Sequence, residues 1–372
     1  MNTHQIIARR PLCLLGLLGL ALFASPVSAQ VFDSGPSDPA LFDNVVNLPS
    51  DPNIGDGGSI GADELVTQVN VFDGGSVGVG FEAYLGEVNI NGGEVGNFFN
   101  ANAGSEVNVS GGEVGIFFGA NSGSQVNISG GILGNGFNAG SGSTVNITGG
   151  SVGSNFDAFS GSVVNISGGT FGTSFDANGP FGDDPGSVVN ISGGSFELFN
   201  AQGGVVNISD GSFGDGFDSG FGSVLNISGG SFGNDFDANS GEVNLFAGEL
   251  ALDGVPLEGL TMGERFTIVN RGQTLSGRFA DRTEFNFELN GNNAPGSDFF
   301  DFDVTLTVTL VEVTPGPIVG DVNQDFVVDF NDIPAFILVL TNGDFLFEAD
   351  VDEDGVVDFA DIVPFVQILT GG

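Results

Sequence analysis

Two stretches near the C-terminus carry the residues best suited to chemistry. Asp321, Asn323, Asp325, Asp329 and Asp332 recur, 29 residues on, as Asp350, Asp352, Asp354, Asp358 and Asp361. These are oxygen donors at positions 1, 3, 5, 9 and 12 of a twelve-residue loop. With a main-chain carbonyl at position 7 they form the ligand set of a hard Ca2+ ion, which takes roughly six to eight oxygens. The carbonyls would come from Val327 and Val356, and position 9 often acts through water. The reading is two Ca2+ ions, one per loop. Gly355 fills the sharp-turn position 6 of the second loop, but Phe326 stands there in the first. A bulky residue at positive φ is unfavourable, so the first loop is expected to be weaker or distorted. The alternative is a solvated acidic helical hairpin with no ion.

A helix should follow each loop. Ile333, Phe336, Ile337 and Leu340 form one apolar stripe, and Ile362, Phe365, Val366 and Leu369 form its twin. Pro334 and Pro364 fall in the first turn, where a missing N–H is tolerated. Two loop–helix units with Asp at position twelve and no helix before the loop resemble the type I dockerin family, over residues 320–372. The resemblance implies Ca2+-dependent folding and docking to a cohesin-type or cell-surface partner. It also implies a setting in extracellular polysaccharide-degrading or surface assemblies of bacteria. Cellulosomal dockerins present a Ser/Thr-type pair at loop positions ten and eleven; here those positions are Phe330-Asn331 and Phe359-Ala360.

The elements before this tail are of another kind. Thr314-Pro315-Gly316-Pro317 reads as a stiff linker, and residues 314–319 separate two compositions. Upstream, a V-N-I triplet returns with its Asn at 70, 89, 108, 127, 146, 165, 190, 207, 226 and 244. A near-constant period of about twenty residues marks a solenoid. Within each unit the apolar residues alternate with period two, as in Phe156-Asp157-Ala158 and Val164-Asn165-Ile166, which is strand and not helix periodicity. Gly168-Gly169 and Ser160-Gly161 supply corners. Three strands and three corners per unit predict a mainly β chain. Its body is a parallel β-helix of about ten coils, a rod of roughly 45–50 Å at the usual strand spacing.

Inward positions then form ladders. Phe81, Phe99, Phe118, Phe137, Phe156, Phe175, Phe199, Phe217 and Phe236 should stack in one core row, and the asparagines should hydrogen-bond along the stack. The step of 25 between Asn165 and Asn190 places an insertion at one corner, residues 178–186. An outward row, Asp157, Asp176, Asn200, Asp218 and Asp237, brings like charges about 5 Å apart, a repulsion of about 1 kcal/mol in water. Hydration with screening, or a bridging divalent cation, would relieve it. Four outward valines, Val163, Val188, Val205 and Val224, form a strip that is either a contact surface or a β-propensity effect. The Asn-X-Ser/Thr triplets are a by-product of the repeat.

The chain has 372 residues and a formal charge of −41, with six basic residues, all Arg. Arg9 and Arg10, the apolar run 12–23 and Val27-Ser28-Ala29 read as a secretory signal peptide over residues 1–29. Its removal takes away the single Cys and the single His, Cys13 and His4, and leaves no Lys. The predicted mature chain is extracellular or at the cell surface of a bacterium. Its organisation is a lead-in at 30–60, repeats at 61–246, a β-rich cap at 247–313, the linker, and the calcium-binding tail. No further stretch is long enough to span a bilayer.

So acidic a chain will not hold nucleic-acid phosphates. Thiol and His-based nucleophile chemistry is absent, and the repeats hold no Arg or Lys to receive the charge that develops in polysaccharide lyases. No catalytic residue stands out. The expected function is that of a secreted, non-catalytic β-helix protein docked through its Ca2+-dependent tail. The alternative is a dockerin-bearing carbohydrate-active protein, binding polysaccharide or hydrolysing O-glycosides with a carboxylate pair.

Overall fold

The computed structural model describes residues 45–48, 54–60, 68–179, 186–292, 296–313, 319–324, 327–343, 345–352 and 354–370. The signal-peptide reading, linker residues 314–318, insertion residues 180–185, and Asp325 and Phe326 of the first loop lie outside them.

The V-N-I segments are short strands because every second side chain is apolar. Val163–Ile166, for example, alternates half-buried and buried. It pairs in parallel with Thr144–Ile147 on one side and with Val188–Ile191 on the other, Asn against Asn. Repeated along the chain, this pairing makes a parallel β-solenoid of about ten coils, the architecture expected from the repeat. The F-D-A strands form a second parallel sheet. The third short strand of each coil joins the V-N-I sheet. In four coils the two run on as one nine-residue strand, at Glu87–Val95, Glu106–Val114, Val188–Phe196 and Val205–Phe213.

The Gly pair at the bend has two separate causes. A Cβ on Gly168 would lie 2.5 Å from the Thr148 carbonyl oxygen of the coil below, while Gly169 has φ +97°. The corner before the F-D-A strand is also left-handed but does without glycine in several coils, using Asn155, Ser174, Asp235 and even Phe98 and Phe117.

Both predicted ladders are present. Each Asn side chain donates Nδ2–H to Oδ1 of the Asn one coil earlier, at 2.7–3.0 Å from Asn70 to Asn244. The Phe row is buried along its length. From Phe99 to Phe137 its rings are parallel, at 4.7 Å. Between Phe137 and Phe156 the rings turn to 84°. The cause is a second aromatic column beginning at Phe171, where earlier coils carry Val or Leu. Phe171, Phe196, Phe213 and Phe232 stack on one another and stand nearly perpendicular to the first column.

The acidic row is relieved by amides. Asn200 donates to Asp176, Asn178 to Asp157 and Asn239 to Asp218. The 25-residue step leaves the stack in register, since Asn190 still bonds Asn165 at 2.8 Å. The insertion is closed at its base by Ser187 donating to the Asn178 carbonyl. The valine strip is half-buried in register.

The stack begins earlier than the triplets indicate. Val45–Leu48, inside the expected lead-in, pairs with Gln68–Val71, and Asn70 donates to Asn47. At the other end, Glu242–Leu252 runs first parallel to Thr305–Leu310 and then antiparallel to Thr274–Phe279. The last rung is Thr307, whose hydroxyl donates to Asn244 at 2.7 Å. Phe300 and Phe287 cover Phe236, closing the aromatic column. Arg271 ties this end together through the carbonyls of Ile268, Phe300, Asp301 and Val304. Among the described residues no helix is long and apolar enough to cross a membrane.

Two predictions follow from these ladders. Asn146→Ala removes one donated and one accepted bond and should lower stability by about 1–3 kcal/mol. Phe137→Ala empties a filled core site and should lower it by about 3–5 kcal/mol. Denaturant unfolding gives both, and the reverse ranking would contradict the assignment. The second concerns pH. Burial pushes the carboxyls of Asp157, Asp218 and Asp298 above their ordinary value, against the hydrogen bonds they accept. A carboxyl with a raised folded pKa binds its proton more tightly when folded, so stability is gained as pH falls through that pKa and lost as it rises. Asp253 is shifted the other way by the N–H of Thr274 and the amide of Gln273, but it is fully exposed and counts for little. At constant ionic strength and with chelator present, the solenoid's thermal midpoint by far-UV circular dichroism should rise as pH is lowered from neutrality into the range just above the ordinary carboxylate value.

Candidate metal centre

The tail after residue 319 has its own small core. Val322, Phe336, Ala349, Val357 and Phe365 are buried together, apart from the solenoid core. Helix α1 (Ile333–Asn342) and helix α2 (Ile362–Thr370) follow the two acidic loops. Pro334 lies in the first turn of α1, and Gly343 ends it at φ 71°. Phe336 and Phe365, the equivalent residues of the two copies, stack at 4.1 Å and 10°. The copies therefore meet through like residues.

The expected stripes need one correction. Ile333, Leu340, Ile362 and Leu369 pack on the core, but Ile337 and Val366 are about half exposed, at 53% and 50%. Ala335 and Val339 are the additional inward residues of α1. A core this small covers only a narrow side of each helix. Phe330 and Phe359 also point outward, at 66% and 80% exposed.

The loops are organised around their last aspartates. In the second, Asp361 is fully buried and accepts backbone N–H bonds from Val351, Asp352 and Asp358. In the first, Asp332 is fully buried and accepts from Asn323 and Asp329. Asp358 and Asp329 in turn accept from the N–H two residues on, both at 2.6 Å. Asp350 is buried and accepts from Asp354 and Gly355, the latter with φ +88°. Asp354 accepts from Val356. Asp321 is buried like Asp350.

Carboxylate oxygens of Asp350, Asp352 and Asp361 lie within 4.8 Å of one another. Among the described residues this is the one acidic cluster so close; the solenoid's Asp row forms none. Asp352 sits at the exposed rim. The desolvation it does suffer, with repulsion from Asp354, Asp361 and Asp350, holds its carboxyl above the ordinary value despite the N–H it receives from Asp354. In the first loop Asp325 lies outside the described residues, and Asn323, Val327 and Asp329 keep the spacing of their counterparts.

These residues fit a hard divalent cation. The donors are all oxygen and held by main-chain N–H groups, and in the second loop Asp350, Asp352 and Asp361 converge. Four of the carboxylates are nearly inaccessible, and no basic side chain follows Arg282 in the sequence. Buried charge without a counter-charge is costly, and N–H bonds offset only part of it. Glu348 is a residue that the loop pattern does not reveal. It is buried, accepts from the Gln324 amide, and its carbonyl receives the Gly320 N–H, so it clasps the first loop to the start of the second. Its counterpart one duplication earlier is Val319, so the duplication gives no sign of it. No protein-family model matches the chain, and no curated protein or solved structure is detectably similar to it.

Because the two cores are separate, Phe336→Ala should remove the tail's structure and leave the solenoid's. The substitution deletes half of the central stack, a loss of about 3–5 kcal/mol, in a unit too small to absorb it. Calorimetry of the full chain should lose a tail transition while the main one stays within about 2 °C.

Proposed function

We propose that this chain is a secreted, non-catalytic β-solenoid anchored through a Ca2+-folded, dockerin-like tail to a cohesin-type or cell-surface partner. The observation that carries the reading is the duplicated loop frame. In each copy a buried aspartate at position twelve gathers the backbone N–H groups of the loop. In the second copy, three carboxylates converge with no positive side chain to meet them. A bound Ca2+ would supply the missing positive charge and cross-link the loop to the start of its helix. Asp350, Asp352, Asp354, Asp358, Asp361 and the Val356 carbonyl would hold one ion. Asp321, Asn323, Asp325, Asp329, Asp332 and the Val327 carbonyl would hold the other.

The docking half of the proposal rests on what the helices leave uncovered. Phe330, Ile337 and Leu338 of one copy, and Phe359, Val363 and Val366 of the other, are exposed apolar residues in a tail of about fifty residues. Exposed apolar side chains at this density mark an interaction surface. Phe at loop position ten in both copies makes that surface more apolar than a Ser/Thr pair would, so the partner should offer an apolar patch.

Titration of Ca2+ into the metal-stripped full chain should show two sites with dissociation constants of about 10−7 to 10−4 M. Asp361→Asn and Asp332→Asn should each abolish one site. At about a hundredfold excess over its dissociation constant each ion should add about 2.7 kcal/mol to the tail's stability. Absence of heat, with a tail equally ordered in chelator, would refute the proposal.

A further inference from the structure

The outward face of the F-D-A sheet carries two polar columns. One runs Glu82, Asn100, Gly119, Asn138, Asp157 in paired register. The next lies two residues on, as Tyr84, Asn102, Asn121, Gly140 and Phe159. Each column has a glycine gap, and the gaps fall in successive coils. Neither Gly119 nor Gly140 has a left-handed backbone, so no turn demands them. A Cβ on Gly119 would lie 2.6 Å from Oδ1 of Asn100, and one on Gly140 would lie 2.9 Å from the Ala120 carbonyl oxygen. Gly119 is buried, with Asn100 and Asn121 leaning over it; beside these residues lies a groove of about 450 Å3, lined by Asn100, Asn121, Asn138, Ser141, Phe117 and Phe159.

Phe117 occupies the left-handed corner that precedes the F-D-A strand, as Phe98 does one coil earlier, with φ 60°. The corner turns its side chain outward, and it is 48% exposed. It stacks on Phe98 at 5.3 Å and 15°, and it lies across Gly136, where a Cβ would come within 2.7 Å of the ring.

The polar groups around it are partly unused. Asn100 spends its amide hydrogens on Glu82 and the Phe98 carbonyl, which leaves Oδ1 turned toward the gap. Asn121 donates to Asn102, and its Oδ1 also faces Gly119. The Asn138 side chain, alone of the three, makes no hydrogen bond among the described residues.

Two aromatic walls, amide donors and acceptors, a serine hydroxyl and no charged group in the lining suit one ligand chemistry. A pyranose ring offers C–H groups to the electron-rich ring faces and hydroxyls to the amides. With a formal charge of −41 the chain repels acidic sugars. We propose that the groove beside Gly119 and Gly140 binds a neutral saccharide chain. The site lies in the solenoid and does not depend on the metal reading of the tail.

The test is affinity electrophoresis of the full chain in gels containing neutral glucan, xylan or mannan, or acidic polygalacturonate, with and without chelator. At least one neutral polysaccharide should retard the chain equally in both buffers. Phe117→Gly, which relieves the positive φ, and Asn138→Ala should each weaken binding by about tenfold. Phe221→Ala, at a residue 84% exposed outside the groove, should leave it unchanged. No retardation by any neutral polymer, retardation by polygalacturonate alone, or retardation insensitive to both groove variants would overturn the proposal.

Discussion

No coil of this solenoid can satisfy itself. Its strands are too short to fold back on one another, so every ladder N–H and C=O finds its partner one coil away. The same is true of the side chains. The amide of Asn146 is complete only between Asn127 and Asn165, and Phe118 is buried only between Phe99 and Phe137. Hydrogen bonds in such a row polarise one another. The end of the row therefore needs a substitute partner, and Thr307 and Phe300 supply it for Asn244 and Phe236. The antiparallel strands beyond Glu249 are the means of delivering those two residues.

The tail is held by different physics. Five buried apolar residues make a marginal core, and the loops gather negative charge where the solenoid disperses it. Along the rod Asp157 pairs with Asp176 and Asp218 with Asp237, but Asn200 separates the two pairs and amides of Asn178, Asn200 and Asn239 donate to the row. In the second loop they converge. One chain thus carries acidity in two forms, spread and tolerated in the repeats, concentrated and unbalanced in the tail.

Much of this was legible in the sequence because a solenoid makes each residue meet its own equivalent. Identical residues at a fixed period become contacts, so the Asn and Phe rows could be read directly. The first rung was obscured because Asn47 stands 23 residues before Asn70, in a stretch of Pro and Asp. The outward turn of Ile337 and Val366 was missed for another reason. Apolar periodicity shows which face of a helix is apolar, but not whether the core is wide enough to cover it. The groove at Phe117 was invisible because two of the residues beside it, Gly119 and Gly140, act by having no side chain. Glu348 has no counterpart in the duplication that would have singled it out.

The insertion between Asn165 and Asn190 adds six residues beyond the usual period and leaves the rung intact, with a bond of 2.8 Å. Alignment is thus enforced side to side and not by the length of chain between rungs. Whole coils can be gained or deleted on the same terms, since each offers its neighbours the same edge. The protein behaves as a ruler, graduated at about 4.8 Å, whose reach is set by copy number while its two ends stay the same.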